Sequence, residues 1–134
     1  MSIRGSCLCG EVSYQVKGPY DFAWNCHCSQ CRRAHGAAYA SYAGVKPENF
    51  KWLSGEELVK TYELDEGGFC FCSKCGSNVA GSWNGVINAV TFGTMEGDPE
   101  LHPDRHIFVG SKAPWLKIAD GLPENDEYPP ETIV

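Results

Sequence analysis

Phe69-Cys70-Phe71-Cys72-Ser73-Lys74-Cys75-Gly76 is the stretch whose reading decides the fold. Its first half alternates like an extended strand and its second half is a Cys-x-x-Cys-Gly knuckle. In such a knuckle backbone N–H groups fold toward the sulfurs, and glycine permits the positive φ that the turn often needs. Two thiols do not close a tetrahedral metal site, but a second doublet, Cys7-Leu8-Cys9, stands before Gly10 near the N-terminus. Brought together, Cys7, Cys9, Cys72 and Cys75 make a four-cysteine structural zinc site that clamps the N-terminal strand to the middle of a sheet. The competing reading of Cys72 and Cys75 is a thioredoxin-like redox pair, which should open a helix after a strand in a βαβ setting. Nothing helical follows here. Cys70 alternates with Phe69 and Phe71, so it can share a face with Cys72; a core position is the expected fate of this leftover thiol.

A third cluster lies in Asn25-Cys26-His27-Cys28-Ser29-Gln30-Cys31-Arg32-Arg33. Three thiolate-capable side chains this crowded repel one another unless something positive holds them. Cys26, Cys28 and Cys31 therefore read as ligands of a second zinc, and three protein ligands is the count of a zinc that keeps a position open for chemistry. The alternative is a closed site whose fourth ligand comes from elsewhere in the chain. His27 is a strained choice for that ligand, because alternation in an extended segment turns it away from at least one neighbouring cysteine. A supporting or surface role is expected for it.

Around these clusters the pattern is that of short strands. Val12–Val16 alternates apolar and polar, Gly18-Pro19 ends that run, and Phe22-Ala23-Trp24 leads into the central cluster. Ser29 to His35 predicts one or two helical turns before Gly36. Further strands are expected over 38–43, 50–53, 58–64, 69–72, 78–83, 87–95 and 106–109, with Asn84-Gly85 as a hairpin signal. The expected class is mainly β, in a single domain spanning residues 1–134, with the Pro-rich, acidic stretch from about residue 120 laid on the surface.

The chain's 134 residues suit one such domain, and metal staples add much to a core of that size. A net charge of −6, with acids concentrated after Glu96 and no basic stripe, argues against general nucleic-acid or anionic-membrane binding. Met1 to Ser6 has no apolar signal region and no run is long enough to span a bilayer, so a cytoplasmic location is expected. In that reducing compartment eight cysteines point to metal rather than to disulfides.

With these motifs in place, the chain resembles the glutathione-dependent formaldehyde-activating enzyme family, which includes the centromere-protein-V-like proteins. The resemblance runs from Gly5-Ser6-Cys7-Leu8-Cys9-Gly10 to about Trp115. It rests on Cys26-His27-Cys28-Ser29-Gln30-Cys31-Arg32, Phe71-Cys72-Ser73-Lys74-Cys75-Gly76-Ser77 and His106-Ile107-Phe108-Val109-Gly110-Ser111-Lys112-Ala113-Pro114-Trp115. It implies a β-tent, a set of folded-over antiparallel sheets. It also implies a structural zinc on Cys7, Cys9, Cys72 and Cys75, and a catalytic zinc on Cys26, Cys28 and Cys31. The implied activity is that of a carbon-sulfur lyase, joining glutathione and formaldehyde into S-hydroxymethylglutathione. Cys70 stands outside the shared pattern.

The residues account for that chemistry. Zinc on three thiolates carries a formal charge of about −1, so it is a weaker Lewis acid than zinc on three histidines, yet it favours a thiolate over a thiol in its open position. Arg32 and Arg33 are candidate anchors for the carboxylates of glutathione through bidentate pairing, or else solvated charges. His35 is a possible proton shuttle or a plain surface histidine. His102 and His106 are expected to cap or pair locally, and Trp24, Tyr39, Tyr42, Trp83 and Trp115 to serve as core or pocket wall. The alternative function is a noncatalytic zinc-stapled binding module, which has no need of the three-ligand cluster.

Overall fold

A computed structural model describes residues 2–130. Ten strands, one helix and a few 3-10 turns make it mainly β. Strands β1 (Ser2–Ser6), β2 (Ser13–Lys17) and β5 (Phe50–Ser54) form a small antiparallel sheet in the order β1-β2-β5. The large sheet takes β3 (Phe22–Cys26), β4 (Ala40–Gly44), β6 (Val59–Glu63), β7 (Gly67–Cys72), β8 (Asn78–Trp83), β9 (Val86–Thr91) and β10 (Arg105–Ile107). Its order is β10-β3-β4-β9-β8-β7-β6, antiparallel throughout except for the β10·β3 edge. Helix α1 (Ser29–His35) fills the connection from β3 to β4.

The two sheets face each other across the main core. Val12, Tyr14 and Val16 from the small-sheet side meet Ala43, Cys70, Val79, Ala80 and Val90 of the large sheet. Period-two alternation decides the rest: on β7, Gly68, Cys70 and Cys72 are buried while Phe69 and Phe71 turn to the other face. Cys70 is thus a core thiol, 2% exposed, with Thr61 Oγ1 at 3.3 Å, and it belongs to neither metal cluster.

The outcome departs from the sequence pattern at the ends of strands. β1 is unheralded because Ser2-Ile3-Arg4-Gly5-Ser6 has little apolar content; pairing with β2 makes it a strand, and Gly5 fits there because a Cβ would collide with the Tyr14 ring. The expected strand over 87–95 stops at Thr91, where Phe92-Gly93-Thr94 turns and the Thr94 hydroxyl donates back to the Thr91 carbonyl. The strand over 106–109 is cut short by Phe108, at φ 56°. The Asn84-Gly85 hairpin forms as read, with positive φ at both residues.

Residues 123–127 lie along β10 and the turn that follows it. The His106 N–H donates to the Pro123 carbonyl, and the Asn125 N–H donates to that of His106. This places Tyr128 edge-on to Phe108, with centroids 4.9 Å apart. The tail is therefore a strap along the sheet edge as well as a surface segment. Among the described residues no helix is long and apolar enough to cross a membrane.

Candidate metal centres and cleft

Two groups of thiols converge, and they are those expected. The sulfurs of Cys7, Cys9, Cys72 and Cys75 all lie within 4.8 Å of one another, and so do those of Cys26, Cys28 and Cys31. A tetrahedral zinc with bonds near 2.3 Å sets its sulfurs about 3.8 Å apart. The Cys7–Cys9 and Cys9–Cys72 separations of 3.5 and 3.9 Å fit that requirement.

The four-thiol group is built by two small turns. Gly10 and Gly76 both take positive φ, at 81° and 84°, so each turn can double back on its sulfurs. The Val12 N–H donates to Cys7 Sγ at 3.3 Å, Gly76 donates to the Cys72 carbonyl, and Ser77 Oγ receives the Leu8 N–H while contacting Cys75 Sγ. The Ser77 hydroxyl holds the Cys75 thiol down at about 5, ready to bind a cation as thiolate.

The three-thiol group straddles the end of β3 and the start of α1. Cys28 caps the helix, accepting the Cys31 N–H at 3.2 Å, and Gly36 closes it in the left-handed region. Cys26 and Cys31 are each 8% exposed, while Cys28 is half-buried. Hydrogen bonds from Cys26 and then Cys31 hold the Cys28 thiol far below its ordinary range, whereas Cys28 pushes Cys26 up to about 12. Three sulfurs this close together can ligate one cation jointly.

These three cysteines line a cleft of about 510 Å³, and the four of the other group do not. Its walls are aromatic, with Phe22, Trp24, Tyr42, Phe69, Trp83 and Tyr128 among them, and its rim includes Asp65 and Glu66. Trp24, Tyr42 and Trp83 are thus pocket wall as expected, whereas Trp115 is 72% exposed and neither core nor wall. Arg32 and Arg33 do not line the cleft. Each successive residue rotates by about 100° in a helix, so the turn that points Cys31 inward carries Arg33 outward. Arg33 is exposed and Arg32 half-buried.

The histidines are where sequence reasoning fell short. His27 is fully buried, and its Nε2 lies 2.8 Å from His106 Nδ1, while His106 Nε2 lies 2.8 Å from Asp120 Oδ2. His106 is therefore no local pair; it links the strap to the Cys26–Cys28 turn, and His27 is no surface group. Asp120 can only accept, so His106 Nε2–H donates to it, and in the matching tautomer His106 Nδ1 accepts the hydrogen bond of His27 Nε2–H. Desolvation, reinforced by His106, pushes His27 down to about 4 and keeps it neutral. His102 stays local and exposed, with Nδ1 against the Pro103 carbonyl. His106→Ala is expected to cost about 3 kcal/mol, since it leaves a cavity and an unpaired buried His27 N–H. Urea denaturation would measure it, and a loss under about 1 kcal/mol would show that the chain of bonds is dispensable.

His35 is also off the surface. It is half-buried, with Nε2 2.9 Å from the Tyr42 hydroxyl. Burial lowers the His35 pKa and raises that of Tyr42 well beyond the usual phenol range, so both stay neutral.

Residues 2–111 match the family described as glutathione-dependent formaldehyde-activating enzyme. The chain belongs to that family. A protein of Halomonas elongata that carries the family's name is 28% identical over 149 aligned residues, covering 99% of this chain and 92% of the relative. A crystal structure of a Rhodobacter sphaeroides protein superimposes with a TM-score of 0.57 at 26% identity, covering 75% of this chain and 97% of that one. This chain's three cysteine groupings thus fall into one cluster away from the cleft and one inside it.

Proposed function

We propose that the chain is a zinc-dependent carbon-sulfur lyase that joins and releases a glutathione-type thiol and a small aldehyde, as in S-hydroxymethylglutathione. The observation that supports this reading is the division of the thiols: Cys26, Cys28 and Cys31 line the cleft, whereas Cys7, Cys9, Cys72 and Cys75 converge away from it, where we assign them the structural role. A noncatalytic module would need only the staple. In this reading the chain holds two zincs, one structural and one catalytic. The donor set suits zinc, which on three thiolates supplies a position that favours the deprotonated form of a substrate sulfur.

The chain's own residues do the rest. Cys26, Cys28 and Cys31 fix where the sulfur sits, and the aromatic walls hold the small carbonyl against it. Confining the two reactants is worth up to roughly 7–11 kcal/mol when their alignment is good. Arg32 and Arg33 stand on the helix whose first turn lines the cleft, and we assign them the carboxylates of a tripeptide that extends beyond it.

Cobalt in place of zinc tests this directly. Glutathione is expected to bind the cobalt protein and intensify its sulfur-to-metal absorption as a further sulfur joins the site. Binding should weaken in the Arg32→Ala, Arg33→Ala double variant. A spectrum that ignores every thiol offered would show a closed site and remove the basis for the enzyme reading.

A further inference from the structure

Tyr42 and His35 form a pair that the metal chemistry above does not use. Tyr42 stands on β4, opposite Trp24 of β3 and Thr91 of β9, so its ring projects into the cleft. It packs against the cluster formed by Cys26, Cys31, Ala40 and Ile107. His35 ends α1 and meets the Tyr42 ring edge-on, at 84° and 5.7 Å, with Phe69 behind it at 6.2 Å. The two rings and the 2.9 Å bond between them hold the phenol oxygen in one place, on a residue that lines the same cleft as Cys26, Cys28 and Cys31.

A phenol has one proton, so this bond has two forms. If Tyr42 donates to Nε2, the cleft meets only oxygen lone pairs. If His35 carries its proton on Nε2 and donates, the Tyr42 proton is free to point into the cleft. Only the second form serves a reaction in which a carbonyl oxygen gains negative charge, and a donor already held in place costs no reorganisation as that charge develops.

We propose that Tyr42 is a catalytic residue that donates a hydrogen bond, and then its proton, to the aldehyde oxygen as the carbon-sulfur bond forms, with His35 as the residue that positions it. The inference rests on the carbon-sulfur reading above. The sulfur electron pair forms the bond to carbon and the carbonyl π pair moves onto oxygen. That oxygen takes the Tyr42 proton, the phenolate left behind is held by the His35 Nε2–H bond, and it takes a proton back from solvent. The thiol gave a proton to solvent on binding, so the balance is thiol plus aldehyde to hydroxymethyl thioether, with nothing oxidised or reduced. The reverse reaction breaks the same bond by the reverse transfers.

Tyr42→Phe tests the role, because it removes one oxygen and keeps the ring. The zinc- or cobalt-loaded variant is expected to melt near the wild type and bind glutathione within about twofold of it, while kcat for glutathione and formaldehyde falls by about 10²–10³, the usual loss for one such donor. His35→Gln should lower kcat less and leave thiol affinity alone. Independently of activity, ¹⁵N NMR of histidine-labelled wild type should find the His35 proton on Nε2. A fully active Tyr42→Phe protein, a loss of thiol affinity as large as the loss of kcat, or a His35 proton found on Nδ1 would each overturn the proposal. A wild type that binds thiol normally while Tyr42→Phe is fully active sinks this inference alone; a wild type that binds no thiol sinks the parent reading with it.

Discussion

Protein carrying Cys72→Ser or Cys75→Ser is expected to emerge unfolded or aggregated. The four-thiol cluster ties the turn at 7–10 to the knuckle at 72–76, and so joins the small sheet's first connection to the large sheet. Structural zinc contributes of order 10 kcal/mol or more of folding free energy in small peptide systems. A whole domain is stable by only about 5–15 kcal/mol, so loss of one ligand removes a large part of the margin. Cys72 adds to the effect, being fully buried within the main core. Circular dichroism and zinc content of the purified variants would check this. A variant that melts with the wild type would show that these thiols are not the staple.

Cys28→Ser and Cys31→Ser are expected to give the opposite outcome, a folded protein without turnover. Their thiols border the cleft in the smaller cluster, away from the inter-sheet core, and exchanging sulfur for oxygen leaves little void. Each variant should lose one metal equivalent, retain a cooperative melt and lose activity by at least about 10³-fold, a small part of what confinement of the reactants can supply. Metal stoichiometry beside thermal denaturation separates the two sets. Equal unfolding in both would mean that the labour is not divided between the clusters in this way.

The contrast between those variants follows from features of different legibility. The thiol groupings were readable because cysteines two and three residues apart, with Gly10 and Gly76 closing the turns of the four-thiol group, are a local signature that few other constraints produce. The Asn84-Gly85 hairpin and the Ser29–His35 helix were readable for the same reason, since their φ and capping needs lie within a few residues. β1 was not readable, because its strand character comes from β2 and from the room that Gly5 leaves for Tyr14. Nor was the environment of the histidines. His27 and His106 are 79 positions apart, and parallel pairing of β10 with β3 is what brings them together behind the cysteines. His35 and Tyr42 are close in sequence, but their contact depends on how α1 turns back onto β4.

By itself, then, the sequence determined a mainly β chain with two sets of thiols and its family, because strand alternation, turn glycines and metal-ligand spacing are short-range properties of the chain. Only the tertiary structure decided that Cys26, Cys28 and Cys31 face a cleft, that Arg32 and Arg33 lie outside its lining, and that Tyr42 and His35 stand inside and behind it. The physical reason is that a cleft is what remains between side chains contributed by strands far apart in sequence. Its walls are set by sheet order and strap placement, which no local pattern encodes.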